Sequence, residues 1–263
     1  MKKLLKIFFG VKYLQSFYEK LFRISLKGMN IGLGSDIQND GEIFVLNFVK
    51  SEIKNYTKPF VIFDVGANIG NYIIEIEKIF KPEDDIYIYA FEPAKNIFKK
   101  LTENVSKYSN INVYNIGLSN QQGEQILFYN EKLSGLSSLY KRNLEHFNIK
   151  MDSEEQVRLT TIDIFCKEQG IEKIDFLKLD IEGNEINALE GAKTMLEKDS
   201  IKFIQFEFGG CNIDSRTYFQ DFYYLLKDRY KIYRILRNNL YEIENYNELK
   251  EIFITTNYLA IHK

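Results

Sequence analysis

The sequence predicts an α/β protein: a Rossmann-like, mostly parallel sheet of about seven strands with an antiparallel C-terminal strand, preceded by a helical extension. Three observations carry this expectation. From Pro59 onward, short β-rich runs alternate with helical patterns, the signature of a parallel sheet flanked by helices. The apolar run in "VIFDVGANIGNY" (61–72) passes directly into a turn containing Gly66 and Gly70 and then into a helical pattern. The last strand-like runs lie close together without helices between them, which favours antiparallel pairing there.

The elements follow in order. "FVIFDV" (60–65) reads as a buried strand, followed by a helix over about 70–80. "DIYIYAFE" (85–92) is the second strand, and Pro93 suits the start of a helix over 94–106. "INVYNIGL" (111–118) is the third, and "EQILFYN" (124–130) an extra hairpin strand outside the sheet core. Residues 131–158 are polar and irregular and are expected to form a lid. Thr161 caps a helix that ends at Gly170. "IDFLKLD" (174–180) is the fourth strand, followed by a helix over 184–197, and "IKFIQFEF" (201–208) is the fifth. A helix over 215–228 and strands at 231–236, 240–244 and 251–263 complete the chain.

Residues 1–36 are read as an N-terminal helical extension and 37–263 as one domain. The first thirty residues hold seven Lys/Arg against one acid, Glu19. Charges interrupt their apolar residues too often for a bilayer span, and no signal-peptide core is present. Two readings stand: a helical cap packed on the domain edge, or a basic amphipathic helix on an anionic membrane face.

Composition narrows the function. A net charge of −2 argues against nucleic acid as the main partner. Two cysteines, Cys166 and Cys211, provide no disulfide framework and fit a reducing, cytoplasmic compartment. Two histidines, His146 and His262, exclude a multi-histidine metal site.

In a doubly wound sheet, ligands gather at the carboxyl ends of the strands. Those ends deliver Asp64, Gly66, Asn68 and Gly70 from the first strand, Glu92 from the second and Ser119 from the third. The fourth delivers Asp180 and Glu182, and the fifth Glu207. Acids thus end four of five strands. The turn lacks the G-x-G-x-x-G of a dinucleotide site and has no Gly-Lys-Ser/Thr, and its acid repels phosphate. A ligand with a cationic group and a ribose but no phosphate fits, and S-adenosylmethionine is such a ligand. Glu92, 22 residues after Gly70, stands where a carboxylate accepts ribose hydroxyls. Asp64 would face the methionine ammonium and Gly66 would admit the amino-acid moiety. Asn68 and Asn71 stand where they can bond its carboxylate near a helix N-terminus.

The motifs "FDVGANIGNY", "AFEPAKNIF", "NIGLSNQQGE", "GLSSLYKR", "TTIDIFCKEQGIEKIDFLKLDIEGNEINALEGAKTML" and "IQFEFG", in that order, resemble FkbM-type methyltransferases. The resemblance covers roughly Ile37 to Lys263. It implies the class I methyltransferase fold, S-adenosylmethionine as cofactor and O-methylation of a sugar, sugar nucleotide or related small metabolite, often in surface polysaccharide or natural-product pathways. One departure is Asn184, where the family commonly has histidine after D-x-E-G.

Methyl transfer to a hydroxyl needs alignment and removal of a proton. Asp180 and Glu182 are the first candidates, with Glu207 beside them; Asp180 and Glu207 are also the candidate ligands for Mg²⁺ or Mn²⁺. His146 is an alternative base in the lid. Ser137 and Ser138 are expected to contact cofactor or substrate, and Arg216 to anchor substrate. Competing readings are a nicotinamide-dependent oxidoreductase and a non-catalytic membrane-surface module.

Overall fold

The computed structural model describes residues 8–33, 37–52, 59–130 and 135–263. Helix α1 (Gln15–Gly28) and helix α2 (Glu42–Glu52) precede the sheet. Then follow β1 (Phe60–Val65), α3 (Asn71–Ile79), β2 (Ile86–Phe91), α4 (Lys95–Val105) and β3 (Ile111–Tyr114). A second, three-stranded sheet is made by β4 (Gly117–Leu118), β5 (Gly123–Tyr129) and β6 (Ser153–Thr160). The chain returns to the main sheet through α5 (Ile162–Gln169), β7 (Ile174–Leu179), α6 (Glu185–Glu190), α7 (Lys193–Glu197) and β8 (Ile201–Phe208). It ends with α8 (Cys211–Ser215), α9 (Phe219–Leu226), β9 (Tyr230–Ile235), β10 (Leu240–Glu242) and β11 (Thr256–His262).

The main sheet has eight strands rather than seven, in the order β10-β9-β11-β8-β7-β1-β2-β3. β3, β2, β1, β7 and β8 run parallel, and β11 inserts antiparallel between β8 and β9. All six residues of β7 are buried, as a strand covered on both faces requires. The order reverses between β1 and β7, so the turns leaving these two strands lie side by side. Gly66 shows how tightly: its φ is +84°, and an added Cβ would stand 1.9 Å from the Asp180 carbonyl oxygen. Only glycine permits both.

Several expected elements divide. The run 111–118 splits because the Asn115 side chain donates to the Glu92 and Pro93 carbonyls, turning the chain out of the main sheet. Gly117–Leu118 then pairs with β6. β6 begins inside the stretch expected to be irregular and runs past its end; only its far end, through Val157 and Leu159, faces a core. The helix expected over 184–197 breaks at Gly191, where an added Cβ would sit 2.1 Å from the Ser119 carbonyl. That over 215–228 breaks at Arg216, which adopts φ +61°. The Thr161 cap and Gly170 stop occur as expected: Thr161 Oγ1 accepts from the Ile164 amide at 3.0 Å, and Gly170 has φ +67°.

Two buried clusters lie on opposite faces of the sheet, one including Val65, Leu177, Leu179 and Phe206, the other Ile62, Phe176 and Phe203. A third, of Ala94, Ile97, Leu127, Val157 and Leu159, joins the small sheet to the start of α4. It walls one side of the cleft described next.

Candidate active site

The carboxyl ends of β1, β2 and β7 open on a cleft of about 630 Å³, solvent-open space included. Its apolar wall comes from Phe91, Pro93, Ile97, Leu118, Leu127 and Leu159. Its polar groups are Asn68, Glu92, Ser137, Asp180, Glu182 and Asn184. Three carboxylates and, among the described residues, no basic side chain line it.

Glu92 is buried at the end of β2 and accepts from the amides of Asn68 (3.1 Å) and Ala94 (2.9 Å). Burial pushes its carboxyl up to about 7, against the pull of those two donors. Residues 135–142 form a strap across the mouth. It is fastened by the antiparallel bridge Phe128–Ser138 and by Ser138 Oγ, which donates to the Glu182 carbonyl at 2.7 Å. Gly135 closes on Asn68: an added Cβ would stand 2.9 Å from its Nδ2.

The turn after β7 is held from below. Glu182 has φ +54° and Gly183 φ +102°, and the buried Glu185 carboxylate accepts from the amides of Ile181 (2.9 Å) and Gly183 (3.0 Å). Arg142 on the strap pairs with Glu182, while its Nε lies 3.8 Å from Asp214. Burial raises Glu182 to about 8, against the lowering influence of Arg142. Asn184 is buried, donates to the Leu118 carbonyl at 3.0 Å and accepts from Asn187 at 2.7 Å.

Behind the turn lies a charged layer. Asp64, Lys178 and Gln205 are register neighbours on β1, β7 and β8, and all three are buried. Lys178 Nζ lies 2.9 Å from Asp180 Oδ2, 3.9 Å from Asp64 Oδ1 and 4.8 Å from the centre of the Tyr72 ring. Gln205 donates to Glu42 at 2.6 Å and accepts from Tyr72 Oη at 3.3 Å. Burial raises Asp64 to about 6 and Glu42 to about 8, with Lys178 opposing in both cases. Burial alone would lower Lys178, but Asp180, Asp64 and Glu42 together hold it above its ordinary value.

Of the residues singled out in the sequence, the structure brings Gly66, Asn68, Glu92, Ser137, Asp180 and Glu182 to the cleft. Asp64 sits beneath the turn, fully buried, and its carboxylate oxygens have no hydrogen-bond partner. Gly70 starts α3 at φ +89°, and Asn71 is exposed on that helix. Ser119 is buried behind the wall, donating its amide to the Thr160 carbonyl. Ser138 is spent on fastening the strap. His146 is exposed with its ring tilted against that of Phe147, and Arg216 is exposed beyond α8; neither lines the cleft. His146 belongs to a surface 3-10 turn because the strap leaves the cleft at Arg142. Arg142, Lys178, Glu185 and Glu42 escaped the sequence reading. A lysine inside the buried strand "IDFLKL" was a legible signal, since a buried ammonium demands partners; Arg142 gave none, because its partner is 40 positions away.

The metal expectation changes as well. Asp180 is engaged by Lys178, and the atoms that converge are those of Glu182, Glu207 and Cys211, within 4.8 Å of one another. A thiol raised by burial, with Arg142 already on Glu182, does not suit a hard cation that seeks oxygen ligands. Burial and the neighbouring Asp180, Glu182 and Glu185 hold Glu207 well above the usual carboxylate range.

Comparison with known proteins places the chain in a family. The chain is 25% identical over 158 residues to the 2-O-methyltransferase NoeI of Sinorhizobium fredii, covering 56% of this chain and 63% of that protein. It is 29% identical over 161 residues to the methyltransferase sdnD of Sordaria araneosa, covering 51% and 61%. It is 27% identical over 147 residues to the hexuronic acid methyltransferase AglP of Haloferax volcanii, covering 55% and 54%. In each case the match spans less than two thirds of the relative's length. The crystal structure of methyltransferase FkbM from Methylobacillus flagellatus superposes with a TM-score of 0.49 at 16% identity, covering 76% of this chain and 43% of that one. Residues 64–243, more than half of the sequence, match the methyltransferase FkbM domain, and the chain belongs to the FkbM methyltransferase family.

Proposed function

We propose that the protein is an S-adenosylmethionine-dependent O-methyltransferase whose acceptor is a hydroxyl of a sugar, sugar nucleotide or related small metabolite. One observation carries the cofactor: the cleft presents three carboxylates and an apolar wall with no basic side chain among the described residues. That donor set suits a cationic, phosphate-free nucleoside and opposes a pyrophosphate. Glu92 would take the ribose hydroxyls, the wall from Phe91 to Leu159 the adenine, and Gly66 with Asn68 the methionine moiety. When bound, the cofactor supplies an activated methyl group.

The chain's own residues then align the acceptor and take its proton. Glu182 and Asp180 share the cleft's far wall. Glu182, at about 8, has a proton affinity matched to a general base near neutral pH, and Arg142 and the Ser138 fastening hold it in place. Asp180, fixed by Lys178, orients the acceptor hydroxyl. The names of NoeI and AglP, an O-methyltransferase and a sugar-acid methyltransferase, favour a sugar hydroxyl as acceptor.

The test is transfer of labelled methyl from S-adenosylmethionine to a panel of sugars and nucleotide sugars. Transfer is expected with the wild type, and a fall of roughly 10²-fold or more in Glu182→Gln with cofactor affinity retained. Full turnover in both Glu182→Gln and Asp180→Asn would remove these carboxylates from the chemistry.

A further inference from the structure

The N-terminal helix has no part in the cleft and violates the usual rule for helices on globular domains. α1 has one buried residue, Leu26. Its root is pinned: Ile31 is buried, Asn30 Nδ2 donates to the Asp40 and Ile235 carbonyls, and the Gly32 amide donates to the Thr255 carbonyl. Above that root the helix leaves the domain, and Tyr13, Phe17, Leu21 and Ile24 are 48–75% exposed. A soluble helix places such residues against its own core.

Phe17, Leu21 and Ile24 follow i, i+4, i+7 spacing and form one stripe, with Tyr13 in the 3-10 turn before the helix, whereas the exposed Phe22 lies off that stripe. Lys20, Arg23 and Lys27 follow i, i+3, i+7 spacing on the adjoining stripe. Charge is segregated on the larger scale too. The first thirty residues hold seven of the 35 Lys/Arg and one of the 37 Asp/Glu, so the remainder carries eight more acids than bases. The extension is therefore the basic element of an acidic protein. Among the described residues, no helix is long and apolar enough to cross a membrane.

We infer that α1 is a membrane-surface anchor: it lies in the plane of an anionic lipid face, with Tyr13, Phe17, Leu21 and Ile24 between the headgroups and Lys20, Arg23 and Lys27 on the phosphates. An apolar stripe beside a basic one is the pattern of interfacial helices, and the basic charge selects anionic over zwitterionic lipid. The acidic domain, repelled by the same surface, would hang below its root at Ile31.

The experiment is co-sedimentation of the full chain with phosphatidylcholine vesicles, with and without phosphatidylglycerol, at low and high salt. Binding is expected to be at least ~10-fold stronger on the phosphatidylglycerol vesicles and to fall at high salt. Phe17→Ser/Leu21→Ser/Ile24→Ser and Lys20→Glu/Arg23→Glu should each abolish it, leaving the circular-dichroism melt of the domain in place. Equal sedimentation with both vesicle types would overturn the inference. So would light scattering that shows a vesicle-free dimer converted to monomer by the apolar substitutions, because the face would then be a contact between copies.

Discussion

Replacing Lys178 by methionine removes one charge from the layer behind the turn while keeping nearly the same volume. The lysine is 4% exposed and compensates Asp64, Asp180 and Glu42. Breaking a buried charge cluster on one side costs about 3–5 kcal/mol, because the remaining carboxylates lose their partner. The sign with pH is fixed by the direction of the shifts. Asp64 and Glu42 already have folded values near 6 and 8, above their unfolded ones. The native state therefore binds more protons between about pH 4 and 8, and their contribution is lost as pH rises through that window. Without Lys178 both values climb further, so Lys178→Met should lose little at pH 5 and the full amount at pH 8.5. With a urea dependence of about 2.5 kcal/mol per molar, the midpoint at pH 8.5 should fall by roughly 1–2 M. Far-UV circular dichroism suits the measurement, since the chain has no tryptophan. Adding Glu42→Gln should recover part of the loss. A midpoint that falls equally at pH 5 and pH 8.5, or by less than ~0.3 M at both, would refute the picture of Lys178 as the counter-charge of this layer.

Arg142→Gln removes the cation that holds Glu182 down, so the acidic limb of the methyl-transfer rate should move upward from about 8 by roughly 1–3 pH units. A pH–rate profile with an unmoved limb would show that Glu182 is not the base. Gly66→Ala combines positive φ with a 1.9 Å contact on Asp180, and should cost ~3 kcal/mol or more. Gly170→Ala, at φ +67° with nothing within 4 Å of the added Cβ, should cost only ~1 kcal/mol. Thermal melts that rank the two variants the other way would contradict the close approach of β1 and β7.

The main sheet was legible because its central strands are short, nearly continuous apolar runs ending in acids, as in 60–65 and 174–180. The lining of the cleft was partly legible for the same reason, since Gly66, Asn68, Glu92, Asp180 and Glu182 sit at or just beyond those ends. What escaped depends on pairing between distant segments. β6 is polar over its first half because only its far end meets a core, so no periodicity marked it. The split of 111–118 rests on Asn115 turning the chain, which an unbroken β-like run hides. Local composition also singled out His146 and Arg216, which do not line the cleft, whereas the side chain that topology brings to Glu182 is Arg142. The charged layer lies between these cases: Lys178 was visible as a lysine in a buried strand, but Glu42 and Gln205, which complete it, are joined only in three dimensions.

On the proposed reading the cleft binds a phosphate-free nucleoside through Glu92. Calorimetry with S-adenosylhomocysteine on the full chain tests it most directly, with NAD as the competitor and Glu92→Ala as the control. Saturable binding of S-adenosylhomocysteine is expected, weakened about 10- to 100-fold by the substitution, as the loss of hydrogen bonds to a charged group implies. No heat with S-adenosylhomocysteine at millimolar concentration, together with binding of NAD, would contradict it.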